Sequence, residues 1–411
     1  MLRWTEENIG NSIVNIALSL NKQAQKVNAM DVDITSYSHL EPTLMTLDEI
    51  ANEIGKVESG IMNIGGYEGE YMNGMVKGFK SYNRYLQGDE ISYKQLQNDI
   101  HQLPTDLITD NKIEVLKDKV NSKLTNLGYN GSLKDKAIKW LSDTKIPPEQ
   151  VVEVAERFIK IAKEGTINRI ISLPPEDGID YVKPIKGVFW SGLSVYTGQG
   201  RGNITFNIER NWTEPIFAQV LTHEAYPGHQ TFYCRWDHLY KKGKLPIEAS
   251  YYLINSASNA LFEGAPETGL HFLGWDNEDE QSPEMPAEAK KRYSLARDFL
   301  DLQRMAQTNA CYLVNVHGVE KEEALKYLID VGLFNELEAN NTYRYFTHPI
   351  QKHYYPTYYH GRWIVGKSYD LVPKDKRQEY FNILYNYPHT NNTFIKAIRD
   401  FTNSEFDPFK D

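Results

Sequence analysis

Two histidines and a glutamate fall within one seven-residue stretch of this chain, His223-Glu224-Ala225-Tyr226-Pro227-Gly228-His229. Imidazole nitrogens bind zinc, and a carboxylate beside such a ligand is placed to move a proton to and from water. These are the parts of a zinc site with its own general base. The spacing sets a condition. Histidines four apart on a helix are offset by about 40° and point the same way. Six apart, they are offset by roughly 240° and face apart. Pro227 and Gly228 supply a remedy. Proline lacks a backbone donor and clashes with the carbonyl four residues back, here that of His223. Glycine takes dihedrals that other residues avoid. A break at this dipeptide is expected to swing His229 back beside His223.

Upstream, Pro215-Ile216-Phe217-Ala218-Gln219-Val220-Leu221-Thr222 reads as a helix entering the core. Proline suits its first turn, and the apolar residues that follow suit burial. Zinc hydrolases hold the metal with three protein ligands and leave one position for water. The third ligand is expected from a downstream helix.

The motif resembles the signature His-Glu-Ala-x-Pro-Gly-His of a bacterial group, the domain of unknown function 885 family. That family resembles the all-helical zinc peptidases of the gluzincin type. Leu261-Phe262-Glu263-Gly264-Ala265 is similar to the family's Glu-Gly-Trp-Ala segment, with Ala265 and Pro266 departing from it. Arg344-Tyr345, Pro349 and Gln351, then Tyr358-Tyr359-His360-Gly361, are similar to its Arg-Tyr, Pro-x-Gln and Tyr-x-x-Gly block. The matches run from about Gly187 to the C-terminus, and the N-terminal third carries none. Where the family often has Asp-Thr-Gly-x-His, this chain has Tyr312 or Asn315 at the histidine's place, depending on register.

The resemblance implies a mainly α, zincin-like fold with a small antiparallel sheet beside the metal-binding helix. It implies one zinc ion per chain on His223, His229 and Glu263, with Glu224 as the general base that takes a proton from a metal-activated water. Tyr358 is the implied donor to the oxyanion, with Tyr359, His360 and His353 as rivals. Glu267, four residues after Glu263, shares its helix face. It is either a partner that orients a ligating histidine or an alternative ligand. Arg344 and Arg362 offer forks for a substrate carboxylate, and Asn203 is a further substrate-binding candidate. The expected activity is a metallopeptidase on small peptides. The alternatives are a metal-dependent amidase on a non-peptide substrate and a non-enzymatic ligand-binding protein.

Composition narrows the partners. A chain of 411 residues buries a large core, and a net charge of −10 argues against nucleic acid and anionic membranes. Cys234 and Cys311 are too few and too far apart for a disulfide framework, so two buried thiols are expected. The start, Met1 to Glu7, has no basic-then-apolar pattern of a leader. A cytoplasmic location is the resulting expectation; oligomeric state is not encoded legibly.

Helical periodicity dominates the rest. Ile13 to Leu20, Met45 to Ile61, Ile113 to Leu124 and Val151 to Ala162 each carry an apolar stripe. Residues 1–172 read as an N-terminal helical wall or lid, and 173–411 as the catalytic region, the two forming one unit. Strands are expected at Val188–Trp190 and Asn203–Ile208, and an edge strand here would hold an extended substrate. Thr197–Gly202 is a turn, not a phosphate loop. Glu248–Phe272 reads as mostly helix, bent near Pro266, and further helices are expected at Ala287–Val316, Lys321–Val331, Glu336–Phe346, Thr357–Tyr369, Asp375–Tyr385 and Thr393–Phe401. Asp276 to Glu280 reads as a solvated acidic connector.

Overall fold

The computed structural model describes residues 7–27, 34–38, 40–41 and 43–410. The opening segment, read above for a leader, falls largely outside them. Helices make up most of the described chain, as the periodicity requires. The stripe at Met45 to Ile61 becomes the Leu47–Ile61 helix. Thr46 and Glu49 close its entry as a capping box, and Ile50, Ile54, Val57 and Ile61 are buried. The stripes at 13–20, 113–124 and 151–162 lie within the helices Glu7–Val27, Asp110–Asn126 and Val151–Arg169.

One buried apolar cluster runs from Ile13 to Phe406 and draws on both halves of the chain. The Glu214–Glu224 helix passes through it. Pro215 stands in its first turn, and both its apolar and polar residues are largely buried. It packs on the helices Val151–Arg169, Asn259–Glu267 and Ala287–Asn315. Packing against these three helices fixes both its axis and its rotation, so the residues at its C-terminal end have a defined place.

The small sheet beside this helix contains the expected antiparallel pair, Gly192–Gly198 with Arg201–Asn207. It adds a parallel partner, Gly178–Ile185, on the other side of Arg201–Asn207. Gly192–Gly198 is therefore an edge strand. Val188–Trp190, expected as a strand, is instead the bend that leads into it. The turn Gln199–Gly200 joins the antiparallel pair.

The expected helix at Glu248–Phe272 begins later than its periodicity suggested. Tyr251–Leu253 is a short strand paired with Ile34–Ser36. Asn259 then closes a polar turn: its carbonyl oxygen accepts from Ser256 N–H and its amide donates to Leu253 O. Helix follows at Asn259–Glu267 and Gly269–Phe272, so the bend falls at Thr268, just after Pro266. The helices expected farther on appear as Ala287–Asn315, Lys321–Val331, Glu336–Thr347, Thr357–Leu371, Arg377–Asn386 and Asn391–Thr402. Cys234 and Cys311 are buried free thiols.

Candidate metal centre

The helix breaks where Pro227-Gly228 stands. Ala225 N–H still bonds Leu221 O, and Gly228 N–H bonds Thr222 O, which closes the first helix. A second helix, His229–Lys241, begins at once. The change of direction brings the two rings together, with centroids 4.7 Å apart and planes at 88°. Gly228 is required for closeness: a Cβ there would lie 1.8 Å from the His223 carbonyl oxygen.

Glu263 comes from the Asn259–Glu267 helix, which crosses the Thr357–Leu371 helix at Gly264 and Gly361. A Cβ on Gly361 would lie 1.9 Å from Ala260 O, and one on Gly264 2.2 Å from Gly361 O. The two backbones touch, which sets Glu263 and Tyr358 on adjoining walls. His223 Nε2 lies 3.2 Å from Glu263 Oε2, and His229 Nε2 lies 3.6 Å from Glu263 Oε1. Donors bound tetrahedrally to one zinc ion stand about 3.3 Å apart. The three residues are all buried, with donor atoms within 4.8 Å of one another. Glu263 Oε2 makes no well-formed hydrogen bond among the described residues, and its neighbour is His223 Nε2 at 3.2 Å. A cation between these donors would satisfy the buried carboxylate. The donor set and its geometry fit zinc.

Glu267 takes the other side of His223. Its Oε1 lies 3.4 Å from Nδ1. Arg304 holds the carboxylate, with Nη2 2.5 Å from Oε1 and Nε 3.5 Å from Oε2. The Arg304 guanidinium also lies 4.6 Å from the Tyr358 ring centroid. Tyr354 Oη donates to Glu263 Oε1 and meets Tyr252 Oη at 2.6 Å.

Three carboxylates gather round two rings. Burial pushes Glu224 up to about 7; His223 opposes that shift, and Glu263 and Glu267 add to it. Ser194 N–H bonds the carboxylate from the edge strand. Burial alone would disfavour a charged His223, but Glu263, with Glu224 and Glu267, outweighs it and raises the ring to about 9. His229, with less help, is pushed by burial down to about 4. Burial opposes the Glu263 charge too, yet His229, His223 and Tyr354 hold it below the usual carboxylate range. The excess of negative charge is what a divalent cation would neutralise.

Comparison with known proteins yields fold likeness alone. No protein-family profile matches the chain. No curated protein matches it either. Among solved structures, it is similar to a candidate lipoprotein from Colwellia psychrerythraea, at 13% identity and a TM-score of 0.56 over 88% of this chain. The chain spans 65% of that protein's length. It is also similar to a candidate lipoprotein of unknown function from Shewanella oneidensis, at 14% identity and a TM-score of 0.52. That match covers 89% of this chain and 74% of the other.

A cavity of about 1460 Å³ opens onto the centre. His223, Glu224, His229, Glu263, Glu267 and Tyr358 all line it. Tyr358 stacks on His223 with centroids 6.1 Å apart, and its hydroxyl is bonded to Tyr345. The edge strand contributes Gly192 to Tyr196.

Other expected site residues do not line this cavity. Asn203 sits in the central strand of the sheet. His353 is stacked on Tyr93 at 4.7 Å. His360 Nε2 meets Tyr312 Oη at 2.8 Å. Arg362 is buried 3.4 Å from Asp301, and Arg344 is exposed, its guanidinium 5.8 Å from the Phe189 ring centroid. Tyr312 and Asn315 are likewise elsewhere: Tyr312 donates to Pro104 O and Asn315 to Phe346 O. Sequence reasoning missed Arg304, Tyr354 and Ser194. Arg304 lies in an unremarkable helix register, and Tyr354 sits in a tyrosine-rich run that reads as packing.

Proposed function

We propose that this chain is a zinc-dependent hydrolase that cleaves small peptides, in keeping with its resemblance to the domain of unknown function 885 family. The observation that carries the reading is the convergence of His223, His229 and Glu263, with Glu224 beside them, on one wall of a large cavity. A bound zinc ion supplies Lewis acidity and lowers the pKa of a water there.

The chain's own residues would do the rest. Glu224, next to His223, takes a proton from water and returns it to the leaving amine. Burial holds its pKa up to about 7, which suits a group that must both accept and donate a proton. Glu267, backed by Arg304, fixes the His223 ring so that Nε2 faces Glu263. Tyr358 offers a hydroxyl to the developing oxyanion. The open edge of Gly192–Gly198 can hold an extended peptide by backbone hydrogen bonds.

Protein purified without chelator is expected to carry about one zinc per chain. Glu224→Gln should keep the metal and lose hydrolysis of a mixed peptide library. A chain that neither contains zinc nor takes it up would favour a ligand-binding protein instead. Cleavage of non-peptide amides alone would favour the amidase reading.

Among the described residues no helix is long and apolar enough to cross a membrane. The cytoplasm remains the location proposed from sequence, with the cell envelope as the rival suggested by the two candidate lipoproteins. Cell fractionation with an antibody to the chain separates them.

A further inference from the structure

Arg210 belongs to the turn that leads from the central strand towards the Glu214–Glu224 helix. Arg210 lines the same cavity as the metal centre. Nη2 donates to Phe189 O at 2.9 Å, which pins the group in place. Nε is buried and has no partner among the described residues. No described carboxylate comes within ion-pair distance of it. Glu338 is the acid that acts on it most strongly, and it also lines the cavity. Arg304, the other cation acting on it, is already committed to Glu267. A largely buried guanidinium without a directly paired carboxylate is costly to keep. Its planar fork matches a carboxylate in two parallel hydrogen bonds.

We infer that Arg210 binds the free C-terminal carboxylate of a peptide substrate, so that the chain selects peptides by their C-terminal end. This rests on the peptidase reading above and names its substrate class. The two arginines expected for the task from sequence do not line the cavity, and Arg210 does.

The test uses matched peptides that differ only in a C-terminal carboxylate or carboxamide. With zinc-loaded protein, the acid should be cleaved with a kcat/KM about tenfold or more above the amide, as the loss of a charge-assisted pair implies. Arg210→Gln should bring the ratio to about one, and Arg210→Lys should keep part of it, since a single charge without the fork remains. Binding is measured separately by calorimetry on zinc-loaded Glu224→Gln, with and without Arg210→Gln, after matching thermal melts.

Tighter binding of the acid that vanishes with Arg210→Gln supports the inference even where neither peptide is cleaved. In that case it is the peptidase reading that fails. Equal binding of acid and amide, or a preference that survives Arg210→Gln, overturns the inference whether or not the peptides are hydrolysed. So does a failure of both peptides to bind.

Discussion

The Glu267 carboxylate lies 3.4 Å from Nδ1 of His223, while Glu263 faces Nε2 of the same ring at 3.2 Å. One imidazole is thus gripped on both nitrogens by acids from a single helix, one turn apart. The two acids have different further partners. Glu263 meets His229 and Tyr354; Glu267 meets Arg304. On the zinc proposal, this asymmetry gives Glu263 the role of ligand and Glu267 that of orienting the ring. Glu263→Ala is expected to abolish zinc binding, whereas Glu267→Ala should weaken it by roughly 10- to 100-fold, as removal of an orienting partner does. Competition against a chromogenic chelator measures both. Equal losses would mean that Glu267 is itself a ligand.

The two tyrosines next to the centre separate by readout. Tyr354 Oη donates to Glu263, so Tyr354→Phe should lower zinc affinity by about tenfold or more. Tyr358 touches His223 only through its ring, at 6.1 Å between centroids. As oxyanion donor, its replacement by Phe should leave zinc affinity within twofold and reduce kcat by roughly 10² to 10³. A kcat unchanged in Tyr358→Phe would remove it from the chemistry.

Much of this was legible beforehand because it rests on local rules. The break at Pro227-Gly228 follows from a missing donor and a missing Cβ, and apolar periodicity marked the helix cores. What stayed hidden depends on distant partners. The Gly66–Gln87 helix contains Gly69, Gly74 and Gly78, which lower helix propensity; burial of Tyr71, Met72, Met75, Val76, Phe79 and Tyr82 overrides that. Arg304 sits 37 residues along the chain from Glu267, the acid it holds. Val188–Trp190 has β-forming residues, yet the ladder begins only at Gly192.

The helix junction makes its own prediction. A methyl at position 228 would stand 1.8 Å from the His223 carbonyl oxygen, which is backbone and cannot rotate away. Gly228→Ala must therefore push the two helices apart or unfold the junction. A loss of about 3 kcal/mol, at the upper end for overpacking, is expected in urea unfolding. Zinc binding should fall with it, since His229 is the next residue. A variant with wild-type zinc affinity would show that the rings need not be held this close.

Asp276 opens the acidic stretch that reads as a solvated connector, but it is 2% exposed. Asp276 Oδ2 lies 3.0 Å from Arg297 Nη1, and Oδ1 lies 3.0 Å from His271 Nδ1. Burial works against the charge, but Arg297 and His271 outweigh it and hold the carboxyl well below the usual carboxylate range. For a depressed acid, the stabilisation is present above the unfolded value of about 4 and is lost as pH falls towards the folded one. His271 runs the other way. Burial lowers it, Asp276 and Asp370 more than restore it, and its share is present below about 6.5 and fades as pH rises through the folded value. Asp276→Asn leaves Arg297 with the longer contact to Asp298, at 3.5 Å, and should cost about 3 kcal/mol near pH 6, where both groups contribute. The gap between wild type and variant should hold down to about pH 4 and narrow below it, as the wild-type carboxylate takes up its proton. Urea unfolding at a series of pH values follows that gap directly. A difference that stays constant to pH 3 would mean that Asp276 acts by shape and hydrogen bonding and not by charge.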